Sequence, residues 1–170
     1  MQPADLEERL KALHQESFSW ALTCCRGEAS DAEDVLQTVY LHLLAGKARY
    51  GGQSEFRTWL FAVIRNQAAK EARRQIVRRL FLQRQVEEAP RIRPGNQSPD
   101  AVLQNAERED TFEAALHALP RRQREVLHLV FYEDLTIDAA ARVMGVSPGS
   151  ARQHYERGKA RLRREFQEPK

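Results

Sequence analysis

The chain of 170 residues has little cysteine and no long apolar run. Its two cysteines, Cys24 and Cys25, are adjacent, so they cannot join distant segments, and no CxxC pair suggests a metal site. No apolar run approaches the ~18 residues of a membrane span, and the first ten residues lack the apolar stretch of a signal peptide. We therefore expect a reduced, cytoplasmic protein with no membrane insertion.

Catalytic signatures are also missing. The sequence has no glycine-rich phosphate loop, no metal-ligand spacing and no paired catalytic groups. His14 precedes Cys24, but with no second ligand cluster a surface histidine and a buried thiol are the better interpretation. We expect no catalytic residue, no metal, no cofactor and no enzyme activity.

The charge is distributed unevenly around a formal net value of +3. Residues 61–93 carry nine basic and three acidic side chains and residues 139–170 carry eight and three, whereas the segments before them are net acidic. Clustered Arg and Lys release counterions from phosphates, so two basic segments indicate two contacts with a polyanion. Two solvated helix faces would explain the charge alone.

Helical periodicity dominates, and the period-two alternation of strands is absent, so we predict an all-α fold. One helix is predicted from Ala4 to Cys25, and a second follows the capping-box spacing of Ser30 and Glu33. A third begins near Glu55 and changes from an apolar to a charged character beyond Ile64. The apolar stripe of the second helix is Val35, Leu36, Val39, Tyr40, Leu43 and Leu44.

A proline-bearing stretch divides the chain. Residues 87–100 contain Pro90, Pro94 and Pro99 without periodicity, which is typical of a flexible linker. We predict two small helical domains, residues 1–86 and 101–170, joined by this linker. The second domain is expected to begin with helices over Ala101–Leu119 and from Pro120 to Phe131.

The end of the chain has the signals of a helix-turn-helix. Thr136 can cap a helix over Ile137–Met144, Gly145 can end it, and Ser147 can cap a helix that runs to about Phe166. The second helix would be set for the major groove. An ordinary helical hairpin shares the turn but does not need an exposed face rich in Arg and Gln.

The side chains of that face match base edges. Arg can fork onto guanine, Gln can pair with adenine and Glu can accept from cytosine. The predicted base-reading residues are Arg152, Gln153, Glu156 and Arg157. Arg142, Ser147 and Ser150, near the helix N-terminus, are better placed for phosphate, because free amides and the positive helix dipole meet there.

Four motifs in order resemble those of extracytoplasmic-function sigma factors of bacterial RNA polymerase. They are Asp31–Gln37, then Phe56–Leu60 with Asn66 and Arg73-Arg74, then Ala118–Pro120 through Glu125–Leu127, then the helix-turn-helix. Each motif is weak alone, but their order on either side of the linker is specific. The resemblance covers nearly the whole chain.

The resemblance implies a sigma factor that binds core polymerase through its β′ and β subunits and directs promoter recognition and melting. Residues 1–86 would contact polymerase, with Asp34 and Gln37 as candidates, and bind the −10 element as a single strand. Residues 101–170 would read the −35 element as duplex. The −10 candidates are Tyr50, Gln53, Ser54, Trp59, Asn66, Lys70, Arg73 and Arg74. Trp59 also fits a core position, and an anti-sigma factor is a further expected partner.

Some positions depart from the family pattern. Gly51 stands where the family often has Arg, Gln153-His154-Tyr155 differ from its commoner Ser-Arg-aliphatic run, and Gly158 lies inside the recognition helix. A mid-helix Gly costs about 1 kcal/mol relative to Ala.

The alternative function is a two-domain helix-turn-helix transcriptional regulator that binds duplex DNA without joining polymerase. It explains residues 137–166 equally well. It leaves residues 31–74 without a role.

Overall fold

The fold is all-helical over residues 3–86 and 114–167, which are the residues that the computed structural model describes. No strand occurs in these two ranges, so the predicted fold class is confirmed for them. The helices are α1 (Pro3–Ala12), α2 (His14–Cys24), α3 (Ala29–Leu44), α4 (Phe56–Val86), α5 (Arg121–Phe131), α6 (Ile137–Met144) and α7 (Pro148–Gln167). A further helical stretch covers 114–118. The predicted linker, residues 87–100, and most of the predicted helix Ala101–Leu119 lie outside the described residues.

The first helices differ from the prediction in two places. The helix predicted over Ala4–Cys25 is divided at Leu13, whose backbone leaves helical geometry (φ −96°, ψ 8°). As a result, α1 packs on α3, whereas α2 packs on both α3 and α4. The capping box at Ser30 and Glu33 is wrong. Helix α3 already begins at Ala29, with Glu28 as a cap that makes no side-chain hydrogen bond, so Ser30 lies inside the first turn.

The front core forms where α2, α3 and α4 meet. Trp20 of α2 is fully buried, stacks on Phe61 of α4 at a ring distance of 6.0 Å, and donates its indole N–H to the Phe61 carbonyl at 2.9 Å. Leu36 and Val39 of α3 complete the same core. The hydrogen bond satisfies the only polar atom of the indole ring, which is the usual condition for burying Trp.

Helix α4 is one continuous helix from Phe56 to Val86, as predicted. Its first half is core, since Leu60, Phe61 and Ile64 are fully buried. Its second half is exposed, and this includes large apolar side chains as well as charged ones. The exposed apolar residues are Ile76, Val77, Leu80 and Phe81.

The back half is held by the predicted local signals. Thr136 accepts a hydrogen bond from the Ala139 amide at 3.1 Å, Gly145 ends α6 in the left-handed region (φ 63°), and Ser147 accepts from the Ser150 amide at 3.2 Å. These caps satisfy backbone groups that a helix end leaves free. The helix-turn-helix is therefore present as predicted.

The front and back halves pack against each other. Helix α2 contacts α5, and α4 contacts α6. Apolar residues of both halves belong to one continuous buried cluster, with Trp20 and Phe61 on one side and Val126, Leu129 and Met144 on the other. The recognition helix α7 packs on α5 and α6, which leaves its outer face free of the front half.

Candidate nucleic-acid interfaces

The recognition face of α7 points to solvent. Ala151, Gly158 and Leu162 are buried at helical spacing against α5 and α6, so the residues between them face outward. The four predicted base-reading residues, Arg152, Gln153, Glu156 and Arg157, are all exposed. The structure therefore brings all four to one accessible surface.

Two contacts modify that surface. Lys159 lies 3.0 Å from the Glu156 carboxylate, and its ammonium stands 4.3 Å from the centre of the Tyr155 ring. Tyr155 in turn stacks on Phe131 of α5 at 5.8 Å. The two Lys159 contacts lie within α7 and orient Glu156, whereas the Tyr155–Phe131 contact depends on how α5 and α7 pack. The pKa of neighbouring His154 is lowered, first by burial and then by Arg122 and Arg157.

The predicted phosphate contacts surround the N-terminus of α7. Arg142 and Ser147 are exposed, and Ser150 is half-buried. The Ser147 hydroxyl donates to the Ser150 hydroxyl oxygen at 3.0 Å while it caps the helix. Free backbone N–H groups and the positive end of the helix dipole make this an anion-binding end.

A second basic surface runs along α4. Asn66, Lys70 and Arg73 are exposed and lie at i, i+4 and i+7, so they share one face of the helix. Arg74 is also exposed but pairs with Glu71 at 3.4 Å. This face is continuous with the exposed second half of the helix and can follow a phosphate backbone.

An aromatic group lies beside that surface. Tyr50, Phe56 and Trp59 form a triangle with ring distances of 5.4, 5.4 and 5.7 Å, and the Tyr50 hydroxyl donates to the Ser54 carbonyl. Trp59 is half-buried, so it belongs partly to the core and partly to the surface. Tyr50 and Trp59 also line a cavity of about 370 Å³ together with Arg49, and Gln53 is exposed in the adjoining loop.

A third surface lies on α3. Asp34 and Gln37 are exposed, as a contact role requires, and Leu41 on the same side of the helix is 60% exposed. Leu44, the last residue of the apolar stripe, is 54% exposed. Leu44 lies ten residues after Asp34, nearly three helical turns further along the same face of α3. This face is exposed because Val35, Val39 and Leu43 on the opposite side face the core.

Sequence reasoning missed the polar contacts between the halves. Arg57 of α4 lies 2.7 Å from Glu133, and Arg65 lies 3.0 Å from Glu125 of α5. Both carboxylates are buried, at 2% and 0% exposure. The sequence does not reveal these two ion pairs, because a charged residue in a helix is expected to face solvent unless its distant partner is known.

No helix within residues 3–86 and 114–167 combines the length and apolarity needed to cross a bilayer. In the same ranges, no group of three or more His, Cys, Asp or Glu side chains could hold a metal ion.

Two family comparisons together cover more than two-thirds of the chain. Residues 10–77 match sigma-70 region 2, and residues 109–162 match sigma-70 region 4. The first match accounts for the part of the sequence that a simple helix-turn-helix regulator left without a role.

The curated relatives of this chain include ECF RNA polymerase sigma factors. The chain is 29% identical over 143 residues to the ECF RNA polymerase sigma factor EcfG of Rhodopseudomonas palustris, covering 80% of this chain and 71% of that protein. It is 25% identical over 155 residues to the ECF RNA polymerase sigma factor SigX of Bacillus subtilis, covering 91% and 79%.

Solved structures share the fold. The sigma factor RpoE of Bartonella quintana, in complex with the anti-sigma factor NepR, matches with a TM-score of 0.70 and 20% identity, covering 98% of this chain and 99% of that one. CnrH, in complex with the cytosolic domain of CnrY, matches with a TM-score of 0.60 and 20% identity, covering 91% and 83%. The matches to sigma-70 regions 2 and 4 and the sigma-factor relatives identify the same family, and the exposed recognition helix is consistent with it. The chain belongs to the extracytoplasmic-function family of RNA polymerase sigma factors and acts in transcription initiation.

Proposed function

We propose that this sigma factor reads duplex −35 DNA with α7 and binds the −10 element as a single strand along α4. The observation that carries the proposal is the presence of two separate exposed basic faces, one on each half of the chain. The corresponding domains are residues 1–86 and 101–170. Its contribution to initiation is binding and strand separation, and the chemistry of transcription belongs to core polymerase.

At the −35 element, Arg152, Gln153, Glu156 and Arg157 contact base edges in the major groove. All four side chains are exposed on the face of α7 opposite its buried contacts, which is the placement that groove entry needs. Arg142, Ser147 and Ser150 hold the backbone phosphates and fix the register. These last contacts position the domain without reading sequence.

At the −10 element, Asn66, Lys70, Arg73 and Arg74 follow the backbone of the non-template strand. A base that leaves the stack needs an aromatic surface and a space of its own size. Tyr50 and Trp59 supply the surface beside a cavity of about 370 Å³, and Gln53 and Ser54 lie in the adjoining loop. We propose that this cavity receives the extruded base.

The polymerase contact is assigned to the exposed face of α3. Asp34 and Gln37 offer polar groups, while Leu41 and Leu44 offer an exposed apolar end. A combined apolar and polar surface of this kind is typical of protein interfaces and is not suited to DNA. The proposed partner is the β′ subunit of core polymerase, with β as a further contact.

An anti-sigma factor is a further proposed partner. The structural neighbour RpoE was solved with the anti-sigma factor NepR. A protein that binds core polymerase works in the cytoplasm, so we place this chain there.

Run-off transcription tests the function directly. Purified core polymerase is given a promoter template with and without this chain, and promoter-dependent transcripts are expected only with it. Asp34→Lys, which reverses charge on the α3 face, should reduce transcript and polymerase association together, while Glu7→Lys, an exposed charge reversal on α1, serves as the matched control. A chain that binds promoter duplex but yields no transcript with core polymerase would be an ordinary regulator instead.

A further inference from the structure

A cavity of about 350 Å³ opens where α2, α3, α4 and α5 meet. It is separate from the cavity beside Tyr50 and Trp59, and its volume is in the range of about 300–1,000 Å³ that holds small molecules. Ala72 lies in its wall, whereas Lys70 of the proposed −10 face is two residues earlier, about 200° around the helix axis. The cavity is therefore on the opposite side of α4 from the proposed −10 face, and neither proposed DNA contact uses it.

The wall of this cavity combines an apolar side with basic groups. Val35 of α3 and Ala68 and Ala72 of α4 supply small apolar side chains. The thiols of Cys24 and Cys25 also line it, and burial raises the pKa of both, so they stay neutral and do not repel an anion. The basic residues of the wall are Arg26, Arg79, Arg121 and Arg124.

Arg124 is the buried basic residue of the wall. It is 5% exposed, and one of its terminal guanidinium nitrogens donates to the His117 carbonyl at 3.1 Å, but its Nε has no hydrogen-bond partner. A buried donor without an acceptor is destabilising, so this N–H is available to a ligand. Burial, followed by the nearby charge of Arg26, lowers the pKa of Arg124, because the charged guanidinium has lost water and faces a like charge. A bound anion would compensate both effects.

The acidic residues of the wall do not neutralise these arginines. Asp31 accepts a hydrogen bond from Gln75 at 3.0 Å, and Glu71 lies 3.4 Å from Arg74, which points away from the cavity lining. The third acid, Glu28, is exposed. In the part of the chain that the structure describes, three basic residues of the wall have no carboxylate within ion-pairing distance, and these are Arg26, Arg79 and Arg124.

We propose that this cavity is a binding site for a small organic phosphate, with the phosphate group held by Arg124 and the other arginines of the wall and the organic part packed against the apolar side. A phosphate monoester carries about −1.5 to −2 charges and three acceptor oxygens, so it can accept hydrogen bonds from more than one arginine. The planar guanidinium group matches its geometry. A carboxylate offers one charge and two oxygens, so it is the weaker ligand. This site goes beyond the proposed function and requires neither polymerase nor DNA.

Phenyl phosphate is the probe, because it joins a phosphate group to an apolar ring. Isothermal titration calorimetry of the full chain is performed in about 0.15 M NaCl, which screens exposed charges. Phenyl phosphate should bind about tenfold more tightly than benzoate, which carries a carboxylate on the same ring, and than inorganic phosphate, which lacks the ring. Phenol, which has the ring without the anion, should show no binding.

Two variants test the wall by different means. Arg124→Gln removes the buried guanidinium and should weaken phenyl phosphate binding by about tenfold or more. Ala72→Leu fills the cavity without removing a charge and should weaken binding to a similar extent, and since Ala72 is exposed it decides the question if Arg124→Gln does not fold. The matched controls are Lys11→Gln and Ala160→Leu, which change exposed residues away from the cavity and should bind as the wild type does. Far-UV circular dichroism shows whether each variant keeps its helix content.

Nuclear magnetic resonance locates the bound probe. The Arg124 Nε–H resonance should shift when phenyl phosphate is added, because this donor gains an acceptor. Shifts confined to the amides of Ser147 and Ser150 at the N-terminus of α7, or unchanged affinity in a folded Ala72→Leu chain, would overturn the site. Benzoate binding as tight as that of phenyl phosphate would overturn its assignment to phosphate. Failure of the chain to support transcription would refute the proposed function alone, since these measurements contain no polymerase or DNA.

Discussion

Gly158 of α7 packs directly on Leu127 of α5. A Cβ atom built at Gly158 would lie 2.8 Å from the Leu127 Cδ1 and 3.3 Å from the Gln123 Cβ. Real Cβ contacts are essentially never as short as 2.8 Å, so Gly158 sets how closely α5 and α7 approach. Gly158 lowers the helix propensity of α7, but the close packing of α7 on α5 requires it.

Gly158→Ala should therefore destabilise the back half. The added methyl group favours the helix by about 1 kcal/mol, but overpacking costs about 1–3 kcal/mol. Gly149→Ala is the control, since its nearest neighbour is a Ser147 hydroxyl at 4.0 Å. Urea unfolding of both variants checks the prediction, and a Gly158→Ala chain more stable than wild type would contradict it.

Base reading and phosphate binding can be separated within α7. Arg157→Ala should weaken binding to a −35 duplex by about 1–3 kcal/mol and relax preference at one base pair. Arg163→Ala should weaken all duplexes alike, because Arg163 is exposed further along the helix, where backbone contact is expected. Fluorescence anisotropy with promoter and random duplexes measures both. If Arg157→Ala weakens binding to the promoter duplex and to the random duplex equally, Arg157 does not read bases.

The α4 face makes a separate prediction. Lys70→Ala with Arg73→Ala should weaken binding of the holoenzyme to a template with an unpaired −10 strand and should lower the salt dependence of that binding by about two charges. Lys11→Ala with Arg26→Ala removes two exposed charges that lie outside both basic segments and serves as the control. A salt titration of polymerase–template binding is the measurement. Unchanged salt dependence would remove these residues from the interface.

The adjacent cysteines predict a stability change at alkaline pH. Burial, with a smaller effect of Asp31, raises the pKa of Cys25 from 9.0 to about 11, and burial raises the pKa of Cys24 well above its usual value. The folded chain therefore holds these protons more tightly than the unfolded chain, so this stabilisation is complete below pH 9 and is lost as the pH rises through about 11.

Urea unfolding between pH 8 and pH 10.5 checks the effect. The free energy of unfolding should fall more steeply for the wild type than for the Cys24→Ala, Cys25→Ala chain, in which other titrating groups are unchanged. If the free energy of unfolding falls equally with pH in both chains, the pKa values of the two thiols are not raised in the folded state.

Local chemistry made much of the fold predictable. The Thr136 and Ser147 caps, the left-handed Gly145 and the exposed face of α7 were all predicted, because each depends on residues within a few positions along the chain. The continuity of α4 was predictable for the same reason. The capping box at Ser30 failed because two side chains with suitable spacing do not establish where a helix begins.

The sequence by itself determined α4, the helix-turn-helix, its recognition face and the family motifs, since these depend on short-range spacing and charge. It did not determine the break between α1 and α2 at Leu13. Tertiary structure alone decided that Glu125 and Glu133 are buried against Arg65 and Arg57, because these pairs join residues 60 and 76 positions apart. It also decided the role of Gly158. Which distant surfaces meet depends on three-dimensional packing, and no local periodicity encodes that.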